Sequence, residues 1–130
     1  MIFLDTSAIY ALADRKDKNH KEAKRLFALA LSRGQEFIIH NYIIVESTAL
    51  IQRRLGFQQA KKFLKEVTRF YIIWIDFRLH RLADDYFSKQ AGQRLSFVDC
   101  LSFVVMKEQG ITHVLAFDDD FIKAGFLQLS

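Results

Sequence analysis

At 130 residues, with 51% hydrophobic side chains, no proline and one cysteine, the chain has the composition of a single folded domain, which excludes a disordered, repeat-built or disulfide-stapled protein. Its apolar stretches are strand-sized or broken by charge, well short of the ~20 residues that cross a bilayer, and the N-terminus lacks the pattern of a signal peptide. A net charge of +4 suits a polyanionic partner as readily as an ordinary lysine-rich surface, and a lone cysteine fits a reducing, cytoplasmic setting.

The chain opens on an apolar run that stops at Asp5, Thr6 and Ser7, the pattern of a central parallel strand whose polar end stands above the sheet. Ligands of open α/β sheets bind at the carboxyl ends of such strands, so Asp5 stands where chemistry is expected. Residues 8–13 predict a short helix and 15–19 a charged turn. A longer helix follows over 20–33, with Ala23, Leu26, Phe27, Ala30 and Leu31 on one face and Gly34 as its stop. EFIIH at 36–40 predicts a second buried strand. Asn41 is placed to cap a helix over 42–55, which carries Ile43, Val45, Glu46, Ala49 and Leu50 and ends at Gly56.

An amphipathic helix over 57–68 turns Phe57, Ala60, Phe63, Leu64 and Val67 inward and Lys61, Lys62 and Lys65 outward. YIIWI at 71–75 is a third strand, after which Asp76 and the basic residues of 78–81 lead into a helix reaching Gly92. Ser96 starts a helix over 97–109 that stops at Gly110. HVLAF at 113–117 is a fourth strand running into Asp118, Asp119 and Asp120, followed by a helical turn at 121–124 and a short edge strand at 126–129. Strands alternating with helices predict one three-layer α/β/α domain over residues 1–130, with a central parallel sheet of about four to five strands.

Asp5 and Asp118 each close an apolar strand, so in a parallel sheet both point out at the same carboxyl edge. Glu46 and Asp99 lie early in helices that begin after such an edge or pack beside it. Setting these four aside leaves 19 basic against 11 acidic residues, a balance of +8 around an acidic pocket. Like charges about 4 Å apart repel by roughly 4 kcal/mol at an effective dielectric near 20, so such a cluster takes up protons or binds cations. Oxygen ligands without histidine or thiol point to Mg²⁺ or Mn²⁺, and to phosphodiester hydrolysis as the chemistry.

Each residue also has a local use. Asp5, Asp118 and Asp119 suit helix caps, and Ser96-x-x-Asp99 is a capping-box pattern. Glu46, set in the apolar sequence YIIVESTAL, needs a partner, for which Arg53 and Arg54 are nearest in sequence. Thr6 and Ser7 are placed to hold a water or phosphate near Asp5, and Asp120 to add an outer carboxylate. Cys100 reads as core, the phenylalanines as core, and the histidines at 20, 40, 80 and 113 lack ligand spacing.

FLDTSAIYAL, IIVESTAL, SFVDCLSFVVMKEQG and VLAFDDDF, in that order along essentially the whole chain, resemble PIN-domain nucleases and in particular the single-domain VapC-like toxins. The resemblance implies that Asp5, Glu46, Asp99 and Asp118 match the family's acidic metal-binding quartet, with Thr6 at its hydroxyl position. It implies Mg²⁺- or Mn²⁺-dependent RNA cleavage, a homodimer and a small antitoxin whose tail fills the active-site groove. HNYII lacks a proline frequent there, and AFDDDF carries three aspartates, which leaves Asp118 or Asp120 as the closer ligand; Asp118 is favoured because it ends the strand.

A metal-dependent endoribonuclease is therefore expected, with Arg15, Lys16, Arg53 and Arg54 available to RNA phosphates and the apolar helices over 42–55 and 57–68 available for self-association. The alternatives are a PIN-like module that binds RNA or protein without cutting, and a phosphate-accepting regulator of the receiver type. The latter expects a lysine after its last strand that is missing here. No glycine-rich turn follows the first strand, which argues against dinucleotide binding.

Overall fold

Ile2, Phe3 and Leu4 are all buried, as a strand flanked by neighbours and covered on both faces requires. They form β1 (Ile2–Leu4), the middle of a five-stranded sheet in the computed structural model, which describes residues 1–91 and 94–130. Along the chain follow α1 (Thr6–Ala13), α2 (His20–Ser32), β2 (Phe37–His40), α3 (Asn41–Leu55), α4 (Phe57–Glu66), a 3₁₀ turn (Val67–Arg69) and β3 (Tyr71–Ile73). Then come α5 (Phe77–Ser88), α6 (Phe97–Gln109), β4 (His113–Leu115), α7 (Asp120–Lys123) and β5 (Leu127–Gln128). The predicted continuation of α5 to Gly92 reaches outside the described residues.

The strand order is β3-β2-β1-β4-β5 and every pairing is parallel, so the α/β/α architecture expected from the sequence is present. The chain winds outward from β1 to β3, then crosses through α5 and α6 to the other side of β1. The winding therefore reverses between β1 and β4, and the carboxyl ends of those two strands flank the crevice where such sheets bind ligands. Ile2 stands opposite Phe37 on one side and His113 on the other, so neighbouring strands finish nearly level. No described helix is long and apolar enough to cross a membrane.

The core is largely aromatic. Phe121 meets Phe103 edge to face at 5.0 Å and Phe3 at 6.0 Å, while Phe27 stacks on Phe37 at 4.5 Å. Helix faces are narrower than predicted. On α4 the buried stripe is Ala60 and Phe63, continued by Val67, whereas Phe57 is 63% and Leu64 47% exposed. Phe57 lies in the first turn after Gly56, beyond the cover of α3, and Leu64 sits on the flank of the stripe. Likewise Leu31 of α2 and Val45 of α3 face solvent; α3 buries Ile43, Ser47 and Ile51 at i, i+4 and i+8.

Capping also differs at one helix. α3 begins at Asn41 itself, capped by His40, whose Nδ1 accepts from the Ile43 amide at 3.2 Å. Asn41 Oδ1 instead accepts from the Ile75 amide at 2.6 Å, fastening the segment after β3 to the start of α3. β3 and β4 are each three residues long, so Asp118 stands three positions past the end of its strand and does not close it directly.

Candidate active site

Asp5 is the first residue beyond β1, and its amide continues the ladder by donating to Leu115 O of β4 at 3.1 Å. Its carboxylate caps α1: Oδ2 accepts from the Ser7 amide at 3.2 Å and the Ser7 hydroxyl at 2.8 Å. The same Ser7 Oγ accepts from the Phe117 amide at 2.9 Å, so one serine ties Asp5 to the segment that leads from β4 to Asp118. Thr6 faces elsewhere, its hydroxyl accepting from Ser47 of α3 at 3.2 Å. The hydroxyl bonded to Asp5 is thus that of Ser7.

Asp99 enters from α6 in the capping box its sequence suggested. Its amide donates to Ser96 Oγ at 3.1 Å and its Oδ2 accepts from the Ser96 amide at 3.2 Å. Asp118 Oδ1 accepts from the Asp120 amide at 3.1 Å. Capping and ligand binding are therefore compatible, because each carboxylate spends one oxygen on a local bond. Among the described residues no partnerless side-chain oxygen is sealed from solvent.

The three carboxyls also act on one another. Burial pushes Asp5 up to about 7 against the opposing Ser7 hydrogen bonds, and the Asp118 and Asp99 charges add to the rise. Burial likewise raises Asp99 to about 6, with Asp118 and Asp120 contributing. Asp118 is raised by desolvation first and by the Asp120 charge, against the opposing hydrogen bonds from the Asp120 amide and with the Asp5 side chain. Among the described residues no ion pair neutralises Asp5, Asp99 or Asp118, whereas Asp119 pairs with Lys123 at 3.1 Å. Carboxyls held near one another without a counter-cation favour a bound cation or a shared proton.

Asp5, Asp99, Asp118 and Asp120 thus belong to one electrostatic neighbourhood. Glu46 lies on α3 beside Ser47, half-buried, and is not among the principal charges acting on the three inner aspartates. It makes no ion pair with Arg53 or Arg54 among the described residues, and the Arg54 guanidinium instead lies 5.1 Å over the Tyr10 ring. Arg15 and Lys16 follow α1, whose eight residues place them about 12 Å along its axis from Asp5. Cys100 is fully buried and burial raises its thiol, as suits a core residue.

The all-oxygen donor set fits a hard divalent cation, and His20 and His40 have ring nitrogens committed to protein bonds. Among the described residues no three His, Cys, Asp or Glu side chains are already gathered closely enough to hold an ion between them. Uncompensated carboxylates repel one another. Clefts of about 190 and 370 Å³ open at the opposite edge of the sheet, where β1 and β4 begin, and none of their lining residues is acidic.

The PIN-domain family model matches residues 2–127. The chain belongs to the PIN-domain family. This PIN domain is 35% identical over 133 residues to the 23S rRNA-specific endonuclease VapC20 of Mycobacterium tuberculosis, covering 99% of this chain and 98% of that protein. The crystal structure of Mycobacterium tuberculosis VapC20, described as a sarcin-ricin loop cleaving toxin, superposes with a TM-score of 0.88 at 32% identity, over 98% of this chain and 97% of that one. VapBC2 from Rickettsia felis bound to a promoter DNA fragment shares the fold, with a TM-score of 0.69 at 13% identity over 98% of this chain and 97% of that one.

Sequence reasoning named the three inner aspartates but missed how they are held. His40 and Ser102, both fully buried, are hydrogen-bonded to each other at 2.9 Å across β2 and α6. The signal was present in EFIIH and in Ser102 within an apolar helix, because buried polar groups need partners.

Proposed function

We propose that this chain is a divalent-cation-dependent endoribonuclease, acting on ribosomal RNA as the toxin of a toxin–antitoxin pair in the cytoplasm. What supports this reading is that the Asp118 and Asp99 charges raise Asp5 and the Asp118 charge raises Asp99, with no ion pair to any of the three among the described residues. The relatives named above supply the substrate class. Asp5, Asp99 and Asp118 would hold Mg²⁺ or Mn²⁺, with Asp120 and Glu46 as outer carboxylates. When bound, such an ion stabilises charge on a phosphodiester and lowers the pKa of water.

This chain's own residues fix the geometry. Ser7 holds Asp5 against the β4 segment, the Ser96 cap orients Asp99, and the turn at Asp120 orients Asp118. The surplus of basic residues elsewhere on the chain suits the RNA backbone. We assign self-association to the exposed apolar residues of α3 and α4, Val45, Phe57 and Leu64, and expect a small antitoxin as regulator.

The test is incubation of purified protein with 23S rRNA and with intact ribosomes, with Mn²⁺ or Mg²⁺, followed by primer extension to locate cuts. Discrete cleavage that stops on chelation and returns on adding the ion is the expected result. Cleavage unaffected by chelation, or none under any metal condition, contradicts the proposal.

A further inference from the structure

We propose that His40 and Ser102 form a positioning pair that sets Asp99 at the right place relative to Asp5, an inference that rests on the reading of these aspartates as a divalent-cation site. His40 Nδ1 accepts from the Ile43 amide at 3.2 Å and therefore carries no proton. The ring proton sits on Nε2, which donates to Ser102 Oγ at 2.9 Å. Ser102 Oγ in turn donates to the Val98 carbonyl at 3.0 Å. The chain of bonds runs one way, from imidazole to hydroxyl to carbonyl, and uses the ring's acceptor and its donor.

The peptide at the end of this chain is the one that carries Asp99. Its carbonyl, Val98 O, is held by Ser102, and its amide, Asp99 N, is held by Ser96 Oγ. Ser96 is local to the helix start, so among the hydrogen bonds of the described residues it is the Ser102 bond that refers Asp99 to the sheet. The sheet end of the link is equally well placed. β2 pairs with β1 so that Phe3 stands opposite Ile38, and continuing that register sets His40 level with Asp5 on the neighbouring strand. The imidazole also lies 5.8 Å from the Phe3 ring, two residues before Asp5. One side chain thereby joins the end of β2, the start of α3 and the second turn of α6, and His40, Ile43 and Ser102 are all fully buried.

Outer groups that orient ligands typically change metal affinity 10- to 100-fold when removed. Ser102→Ala deletes the hydroxyl and strands the Nε2 proton. His40→Asn keeps an acceptor for the Ile43 amide but does not reach Ser102. The two break one link from opposite ends, so the double variant should be no worse than either single one. Ile51→Val, in the buried stripe of α3, serves as a packing control away from this link.

The experiment is calorimetric titration of Mn²⁺, without RNA, at a temperature where every variant is folded by circular dichroism. Ser102→Ala and His40→Asn are expected to weaken Mn²⁺ binding by about 10-fold or more, with Ile51→Val within about twofold of the unsubstituted protein. Unchanged affinity in Ser102→Ala and His40→Asn, with binding lost in Asp5→Asn, overturns the positioning role while leaving the cation site standing. Loss of affinity in Ile51→Val equal to that in Ser102→Ala overturns it as well. Absence of saturable Mn²⁺ binding in the unsubstituted protein overturns the cation site and this inference together.

Discussion

Asp5→Asn is expected to lower RNA cleavage by about 10³-fold while leaving the fold intact. Asparagine is as good a helix cap as aspartate, so its side-chain oxygen can still accept from the Ser7 amide and hydroxyl that bind Asp5 Oδ2. What disappears is the negative charge at the crevice between β1 and β4. A ligated cation supplies several kcal/mol of transition-state charge stabilisation, and each 1.36 kcal/mol is a factor of ten, so roughly three decades of rate are at stake. Single-turnover cleavage with saturating Mn²⁺ checks it. Asp5→Asn protein that cuts within a few-fold of the unsubstituted rate would remove Asp5 from the site.

Phe121→Ala is expected to destabilise the domain by about 3–5 kcal/mol, a large share of the 5–15 kcal/mol that holds such a fold together. Phe121 is fully buried and its ring packs against one aromatic residue from each of the two other elements that supply an aspartate. Phe3 lies on β1, two residues before Asp5; Phe103 lies on α6, one turn after Asp99; and Phe121 itself follows Asp118 by three positions. Truncation leaves a cavity beneath the carboxylates, so activity should fall even in the fraction that remains folded. Urea unfolding reads the stability loss as a lower midpoint at unchanged slope. A midpoint within experimental error of the unsubstituted protein would show that this aromatic cluster does not hold the three elements together.

The elements that were legible in the sequence are those whose signal is local. An apolar run ending in Asp5, a capping box at Ser96 and Asp99 and a glycine stop at Gly110 each specify structure within a few residues, and α6 has the predicted bounds. Gly110 adopts φ 68°, the left-handed conformation that ends a helix. Long-range partners were not legible. Alternation alone did not reveal that β3 and β4 would stop after three residues, so the strand end was placed too close to Asp118. Nor does helical spacing show which flank of α4 a neighbour covers, so Phe57, inward by spacing, is exposed.

The same division runs through the site. Parallel topology brings the ends of β1 and β4 together once their order is known, which made Asp5 and Asp118 readable as neighbours. The choice of Ser7 over Thr6 as the hydroxyl on Asp5 depends on which side of α1 faces β4 and which faces α3. The His40–Ser102 bond spans 62 positions and no spacing rule encodes it. Glu46 drew attention as a charge in an apolar segment, yet it is half-buried beside Ser47, clear of the pair of arginines that follow it.

On the proposed function, the mutual repulsion that raises Asp5 and Asp99 is relieved by a divalent cation. Asp5 has a folded pKa of about 7, above its ordinary 3.8. For a carboxyl raised in this way, the stability it contributes to metal-free protein is complete below about pH 4 and lost as pH rises to about 7. The most direct measurement is the thermal midpoint of unsubstituted and Asp5→Asn protein from pH 4 to pH 8, with and without Mn²⁺. Metal-free Asp5→Asn protein should match the unsubstituted protein at pH 4 and be the more stable of the two at pH 8. Mn²⁺ should raise the midpoint of the unsubstituted protein at pH 8, do little at pH 4, and have little effect on Asp5→Asn at either. A Mn²⁺ shift that is indifferent to pH and to loss of Asp5, or metal-free Asp5→Asn that is less stable at pH 8, would contradict the account.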